Sequence, residues 1–327
     1  MSERQTALDR LDKEYHRIAR SIQKFDLQKI DGVDAGLGFE EVFGDLQSHA
    51  SSELLMGFYS LRGMDMALER YGVRKALAQR GFPNARLELD LSDPYRHRMM
   101  LVDADASAPR GENRLAELHL HRVTSPEERD FQPDIRKGCS DFLMIDWLCL
   151  QNPRQGFSAD RPALPGQNHP GLGIGPEVME MIQILAERLG LAGIVTRPQY
   201  YHNAALYSLR YHFIDPICEG RLLALMRDLN GKSLSEASWA VHLGAVLCRE
   251  NGRPVSWFGR EQVFALNRGV ARYFESADYR RRRVEWTVKS RFHLDEAEFR
   301  RLKCDSREYH EAQGASGTDS ASPSPIE

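Results

Sequence analysis

The residues most suggestive of chemistry are three glycines that alternate with two aliphatic residues: Gly171, Leu172, Gly173, Ile174 and Gly175. They directly precede the clearest amphipathic helix of the sequence, predicted over residues 176–189, and a strand is predicted after it. Glycine lets backbone N–H groups turn toward an anion, and the helix N-terminus adds its dipole. The pattern predicts a binding site for a phosphate or pyrophosphate. The alternative is a glycine-rich helix start without a ligand.

Two common phosphate-binding motifs do not fit this loop. A dinucleotide-binding fold requires GxGxxG in a tight strand-to-helix turn and an acidic residue after the next strand. Here the spacing is GxGxG, the preceding strand ends about twenty residues earlier, and the next strand ends in Arg197 and Pro198. A P-loop ends in GK[ST], whereas Gly175 is followed by Pro176. NAD is therefore disfavoured, and ATP bound through a P-loop is excluded.

The stretch 170–198, PGLGIGPEVMEMIQILAERLGLAGIVTRP, resembles the acetyl-CoA-binding segment of the GNAT superfamily of N-acyltransferases. That family carries a (Q/R)xxGx(G/A) loop, an amphipathic helix and a short strand. The resemblance implies that the loop amides bind the pyrophosphate of acetyl-CoA or another acyl-CoA, with Asn203 also at the cofactor. It further implies that the strand before the loop splays to admit pantetheine. Pro170 stands where the family has Gln or Arg.

The resemblance also implies the fold and the organisation of the chain. We expect an α+β (α/β) fold with a mixed, mostly antiparallel sheet, a central loop and helix for CoA, and flanking helices at both ends. The predicted regions are an N-terminal helical region, the acyltransferase core, a C-terminal helical extension and a disordered tail, over 1–85, 86–220, 221–310 and 311–327. The tail is rich in Ser, Pro and Gly and has no core-forming content.

Acyl transfer to an amine needs a base for the ammonium and an acid for the leaving thiolate. The resemblance makes Tyr207 the acid; the alternative is that its ring packs under the sheet. Asp146 is a candidate base, because a carboxylate in the apolar strand FLMIDWLCL would be desolvated and its pKa raised. His169 in the long loop is an equal candidate, and Glu117 is a weaker one. Structurally, Asp146 would instead cap a neighbouring element or lie at a strand edge.

Two function hypotheses follow. The first is an acyltransferase that moves an acetyl or longer acyl group from a CoA-type thioester to an amine that the sequence does not identify. The second is a catalytically inactive GNAT-fold protein that binds a ligand or a partner, which the replacement at Pro170 favours. His119 and His121 share a strand face but have no close acidic or cysteine partner in the sequence, so no metal is expected.

Composition indicates a soluble, cytoplasmic protein. The 327 residues carry a net charge of −3 and are 42% apolar, which favours neither nucleic acid nor an anionic membrane as a partner. No apolar stretch reaches the roughly 18 residues of a transmembrane helix. The first 25 residues are charged throughout, unlike a signal peptide. The 5 cysteines are scattered, which is typical of a reducing compartment.

The elements that must position the site follow from periodicity. Strands are predicted over 87–91, 97–104, 114–123, 142–151, 192–198 and 211–214. The second and third should be antiparallel neighbours, and both faces of 142–151 should be covered, because it is almost continuously apolar. Besides 176–189, helices are predicted over 1–25, 52–80, 203–210, 220–229, 233–250 and 260–277.

The first helix carries an apolar stripe of Leu8, Leu11, Tyr15, Ile18, Ile22 and Phe25. Such a stripe cannot remain in water, since burying each side chain contributes roughly 1.5–3 kcal/mol. We expect it to dock on the helix around residues 52–80 of its own chain. Pairing with a second copy in a homodimer is the alternative.

Overall fold

A seven-stranded mixed sheet forms the centre of the computed structural model, which describes residues 3–29, 54–106, 113–124 and 141–312. The predicted tail from 313 onward and the start of the predicted helix 52–80 lie outside the described residues. The strands are β1 Ala85–Asp90, β2 Arg96–Asp103, β3 Arg114–Val123, β4 Phe142–Leu150, β5 Gly193–Thr196, β6 His212–Phe213, β7 Val246–Cys248, β8 Gln262–Ala265 and β9 Phe292–Leu294.

The order in the large sheet is β1-β2-β3-β4-β5-β8-β6, and β7 pairs with β9 in a separate small sheet. Strands β4 and β5 run parallel, whereas the other described neighbours are antiparallel. The predicted antiparallel pairing of the second and third strands is confirmed. A parallel pair needs a crossover, and the segment containing the glycine loop and its helix supplies it.

Twelve helices are found in the part of the chain that the structure describes. They are α1 Glu3–Ser21, α2 Lys24–Gln28, α3 Leu61–Arg70, α4 Val73–Gln79, α5 Gly175–Arg188, α6 Tyr201–Tyr207, α7 Pro216–Asp228, α8 Leu234–His242, α9 Arg268–Glu275, α10 Ala277–Lys289, α11 Glu296–Asp305 and α12 Arg307–Ala312. The mixed α+β class with helices before and after the sheet is thus confirmed. Over the described ranges, no helix combines the length and the apolar character needed to cross a membrane.

The antiparallel half of the sheet has one apolar and one polar face. On β3, Leu118 and Leu120 are buried in the main core, together with side chains of α1, α3, α4 and α5. Side chains alternate along a strand, so His119 and His121 lie on the opposite face. The N-terminal helices and the sheet therefore share one core.

Both faces of β4 are covered only over its first half. Leu143 and Ile145 belong to the main core, whereas Phe142 and Met144 belong to a second core with residues of β5, β8, α9 and α10. From Asp146 onward the residues of β4 are exposed or half-buried. The prediction of two covered faces is wrong for this second half, because α9 and α10 pack at the β5–β8 end of the sheet.

Three predicted helices are wrong in part. The described portion of 52–80 breaks into α3 and α4 at Gly72, whose φ of +77° no continuous helix can adopt. The segment 260–277 begins with β8 and becomes helical only after Asn267, whose side chain accepts from the N–H of Val270. The segment 233–250 ends in β7. A short apolar run is compatible with a helix or with a strand, and pairing with neighbouring strands determines which of the two forms.

The first helix docks on its own chain. It packs on α5, where Arg188 donates to the carbonyls of Ala19 and Ile22. Its Tyr15 also reaches the turn after α3: the hydroxyl donates to the carbonyl of Tyr71 at 2.9 Å, and the two rings stack at 4.8 Å. The predicted apolar stripe ends before Phe25, which is exposed.

This docking makes Tyr15 a structural residue. Tyr15→Ala removes a ring that is 2% exposed, and we expect the free energy of unfolding to fall by about 3–5 kcal/mol. Phe25→Ala is the matched control, because that ring is 54% exposed, and should cost less than about 1 kcal/mol. Urea denaturation measures both. Equal losses in the two variants, or a halved mass of Tyr15→Ala by light scattering, would contradict docking within one chain.

Candidate functional site

The glycine loop lies beside the end of β4, although about twenty residues separate them in sequence. The backbone N–H of Asn152 donates to the carbonyl of Pro170 at 2.7 Å. This hydrogen bond closes residues 153–169 into an excursion that leaves and returns at one place. A Cβ on Gly171 would lie 3.8 Å from the carbonyl oxygen of Leu150, the last residue of β4. The long connection therefore does not move the loop away from the strand.

Within the loop, the aliphatic residues anchor the backbone and the middle glycine reaches the surface. Leu172 and Ile174 are buried in the main core, whereas Gly173 is exposed. Gly173 has a φ of +68°, in the left-handed region that favours glycine. Helix α5 begins at Gly175 with Pro176 in its first turn, as predicted to within one residue.

Arg80, which follows α4, determines the direction of the loop peptides. Its Nε donates to the carbonyl of Leu172 at 2.5 Å, and its Nη2 donates to that of Gly173 at 2.8 Å. The C=O and N–H of a trans peptide point in opposite directions, so the N–H groups of Gly173 and Ile174 point away from Arg80. Among the described residues, none accepts a hydrogen bond from these two groups or from the N–H of Gly175. Unpaired donors at a helix start suit an anion.

The two parallel strands pair over four residues, and the pairing stops where β5 ends. The register runs from Phe142 opposite Gly193 to Ile145 opposite Thr196, where β5 ends. Strand β4 continues to Leu150, still paired with β3 on its other side. The second half of β4 therefore has no strand partner among the described residues on the β5 side. The glycine loop stands at the far end of this half.

The carboxylate of Asp146 is exposed at the point where the pairing of β4 with β5 ends, so the expectation that the apolar strand desolvates it is wrong. The register of β3 and β4 shifts, with His119 opposite Trp147 and Leu120 opposite Ile145, which makes Asp146 the extra residue of a β-bulge. Asp146 and Trp147 are both exposed, in spite of the strand's usual alternation.

A histidine, which the sequence analysis considered only as a metal ligand, pairs with this carboxylate. Nδ1 of His121 lies 2.6 Å from Oδ2 of Asp146, and Nη1 of Arg96 lies 3.8 Å from the same oxygen. An ionised carboxylate only accepts hydrogen bonds, so His121 donates from Nδ1. The sequence contained both residues, but the bulge that brings them together left no sequence signal.

A second histidine–carboxylate pair stands on the same face of β3. Nε2 of His119 lies 2.9 Å from Oε1 of Glu117, and Nη1 of Arg114 lies 2.5 Å from Oε2. Burial alone would raise the pKa of Glu117, but the hydrogen bond to His119 and the charge of Arg114 outweigh it, so this pKa is lowered. Glu117 is therefore an ionised and paired carboxylate, and a weak base.

The three remaining predicted site residues lie on the long loop and on α6. Tyr207 packs against the main core, which also contains Leu172 and Ile174 of the glycine loop. Burial raises the pKa of Tyr207 to about 12. Its hydroxyl has no hydrogen-bond partner among the described residues. The partly buried side chains of His169 and Asn203 likewise have no hydrogen-bond partner among the described residues.

A cleft of about 460 Å³ opens beyond the end of β5. Its walls come from α8, residues 254–257 and the segment after β5, including Gln199, Tyr200, Tyr201, His242 and Trp257. His202, 3% exposed, stacks on Tyr200 at 5.4 Å, and its Nδ1 has no partner in the described structure. Burial, with the nearby charge of His242 as a smaller cause, lowers the pKa of His202 to about 4.

No group of three or more His, Cys, Asp or Glu side chains that could hold a metal ion exists in the described ranges. Comparisons with known proteins do not supply a function either: no family model and no curated protein matches the chain.

Acid should destabilise the protein through His202. A pKa lowered from 6.5 to about 4 contributes stability that is present above pH 6.5 and is lost as the pH falls through 4. We expect the wild type to lose roughly 3 kcal/mol over this range relative to His202→Gln, because each pKa unit corresponds to about 1.4 kcal/mol. Urea denaturation at a series of pH values measures the difference. Parallel pH curves of the two proteins would contradict the buried, neutral imidazole.

Proposed function

We propose that the chain is an acyltransferase that moves an acetyl or longer acyl group from a CoA-type thioester to an amine. The observation that carries the proposal is the hydrogen bond between Asn152 and Pro170. It holds a loop with unpaired N–H donors at one end of the half of β4 that extends beyond its pairing with β5. Anion-binding donors thus adjoin a strand edge along which a narrow, amide-containing chain can bind.

The pyrophosphate and the pantetheine of an acyl-CoA would both have partners in this arrangement. The N–H groups of Gly173, Ile174 and Gly175, with the positive end of α5, would bind the pyrophosphate. The free backbone edge of β4 after Ile145 would pair with the amides of pantetheine, as an added strand would. This alignment would bring the thioester to the bulge at Asp146, where an amine can reach it from solvent.

Tyr207 would supply the proton for the departing thiolate. Its pKa of about 12 keeps the hydroxyl protonated at neutral pH, which is the form that can donate. The hydroxyl has no described hydrogen-bond partner that would compete for this role.

The binding-only alternative loses part of its support. Pro170 lacks the Gln or Arg side chain of the family motif, which favoured an inactive protein. Arg80, which follows α4, binds the same loop and fixes the direction of its peptides. The N–H donors that would bind the pyrophosphate are thus oriented without a side chain at position 170.

Isothermal titration calorimetry with acetyl-CoA, longer acyl-CoAs and desulfo-CoA tests the proposal, with two variants at Gly173. Asp and Asn are nearly the same size and both tolerate the left-handed backbone, so Gly173→Asn measures the effect of the side chain alone. Gly173→Asp adds a negative charge beside Arg80, since a Cβ on Gly173 would lie 3.6 Å from its Nη2. The carboxylate would compete with the carbonyls of Leu172 and Gly173 for the guanidinium that orients the loop. We expect Gly173→Asp to bind acetyl-CoA at least about tenfold more weakly than Gly173→Asn, a difference of about 1.4 kcal/mol.

Melting temperatures of both Gly173 variants control for folding. Wild-type protein that does not bind acetyl-CoA would refute the proposed function. Binding that is equal in the Asp and Asn variants would remove the loop from the site.

Tyr207→Phe tests the acid separately from binding. The variant keeps the buried ring and loses only the hydroxyl. We expect the rate of thiol release in acyl transfer to fall about 10²-fold or more, with unchanged affinity for acetyl-CoA and little change in melting temperature. A fully active Tyr207→Phe would leave Tyr207 with a structural role alone.

A further inference from the structure

We infer that His121 accepts the proton of the acceptor ammonium through Nε2, and that Asp146 is its positioning residue. The inference rests on the proposed function and assigns the base of that reaction. From the sequence alone, this role is expected of Asp146 or His169.

The His121–Asp146 pair lies where the pairing of β4 with β5 ends. Ile145 is the last residue of β4 that pairs with β5, and Asp146 follows it directly. His121 therefore stands on β3 at the point where this pairing ends. Its side chain is 17% exposed and that of Asp146 is 30% exposed, so both are accessible to an incoming amine. Trp147, the next residue of β4, has a half-exposed ring that offers an aromatic surface for an ammonium.

The hydrogen bond between His121 and Asp146 determines which nitrogen of the imidazole can accept a proton. Asp146 binds Nδ1 of His121 at 2.6 Å, which fixes the neutral imidazole in the tautomer that leaves the lone pair on Nε2. Nε2 has no hydrogen-bond partner among the described residues. The carboxylate would also stabilise the imidazolium that forms when Nε2 takes a proton.

His121 and Tyr207 lie on opposite faces of the sheet. His121 projects from the face opposite Leu118 and Leu120, which belong to the main core. Tyr207 packs against that core, on the other side. The base and the acid would thus approach a thioester at the edge of β4 from opposite faces of the sheet. This arrangement separates the entering amine from the leaving sulfur.

The proton balance is complete with these two residues and solvent. His121 takes one proton from the ammonium and later releases it to solvent. The neutral nitrogen attacks the thioester carbon, so a C–N bond forms, and the C–S bond breaks with its electron pair on sulfur. Tyr207 donates a proton to the thiolate and is reprotonated by solvent, which also takes the second proton of the nitrogen as the amide forms. The products are an N-acyl amine, a free thiol and one proton.

The pair His119–Glu117 offers a matched control. It is also a histidine–carboxylate pair on the same face of β3, but His119 stands opposite Trp147, beyond the bulge, and its Nε2 is occupied by Glu117. We compare His121→Gln with His119→Gln, using acetyl-CoA and two small probe amines. Methylamine is an ammonium at neutral pH and needs a base, whereas hydroxylamine is already a neutral amine.

We expect His121→Gln to slow transfer to methylamine by about 10²-fold or more and transfer to hydroxylamine much less, with wild-type affinity for acetyl-CoA. His119→Gln should match the wild type with both amines. Equal losses with the two amines in His121→Gln, or the same pattern in His119→Gln, would overturn the role of His121. Wild-type protein that binds acetyl-CoA but acylates neither amine would also overturn it, while failure to bind acetyl-CoA would refute the proposed function itself.

Asp146→Asn tests the positioning role by a readout that a purely structural role would not change. The variant removes the negative charge that stabilises the His121 imidazolium and leaves Arg96, the nearby described cation on β2, in place. Transfer to methylamine should therefore slow, whereas transfer to hydroxylamine and the affinity for acetyl-CoA should change much less. Unchanged transfer to methylamine would show that Asp146 does not act on His121. Nitrogen-15 NMR of the folded protein should find His121 protonated at Nδ1; protonation at Nε2 alone would contradict the inference without any assay of activity.

Discussion

The candidate site depends on one constraint: β4 pairs with β3 over its whole length but with β5 over only four residues. Backbone N–H and C=O groups need partners, and a strand edge left without one is a template for another extended chain. The free half of β4, Asp146–Leu150, spans about 13 Å at the usual rise of a strand. The bulge with His121 stands at one end of this length and the glycine loop at the other. The strand itself therefore sets the distance between the proposed anion site and the proposed base.

The glycine loop would attract an anion by geometry more than by net charge. The whole chain carries a charge of −3, and the loop itself contains no basic residue. Its donors are peptide N–H groups whose direction is set by the hydrogen bonds of Arg80 to the opposite ends of the same peptides. Oriented dipoles of this kind act over a short range, so they favour an anion that fits the loop over anions in general.

Local patterns predicted the parts of the fold that are decided locally. Strand β3 has its predicted bounds, and α5 begins within one residue of its predicted start, because alternation, a proline and a glycine suffice to define them. From the sequence alone, the short apolar run of β8 predicts the beginning of a helix. It forms a strand because it pairs with β5 on one side and β6 on the other. The bulge at Asp146 exposes a residue that the sequence predicts to be buried. The sequence of one strand does not reveal the bulge, because a register shift depends on how two strands pair. Arg80 lies 93 residues before Gly173, and no spacing rule links them.

Helix α5 is held at both ends by arginines that bind carbonyl oxygens across the boundary between the N-terminal helices and the sheet. Arg80 comes from α4 to the loop before α5, and Arg188 at the end of α5 binds the carbonyls that close α1. A molecule that orders the glycine loop would strengthen the first of these contacts, and linkage requires the effect to be mutual. A ligand in the glycine loop would then stabilise the docking of the N-terminal helices, and this docking would strengthen the binding of the ligand by the same free energy. Local opening of those helices, followed by hydrogen exchange, would report on a ligand that they do not touch.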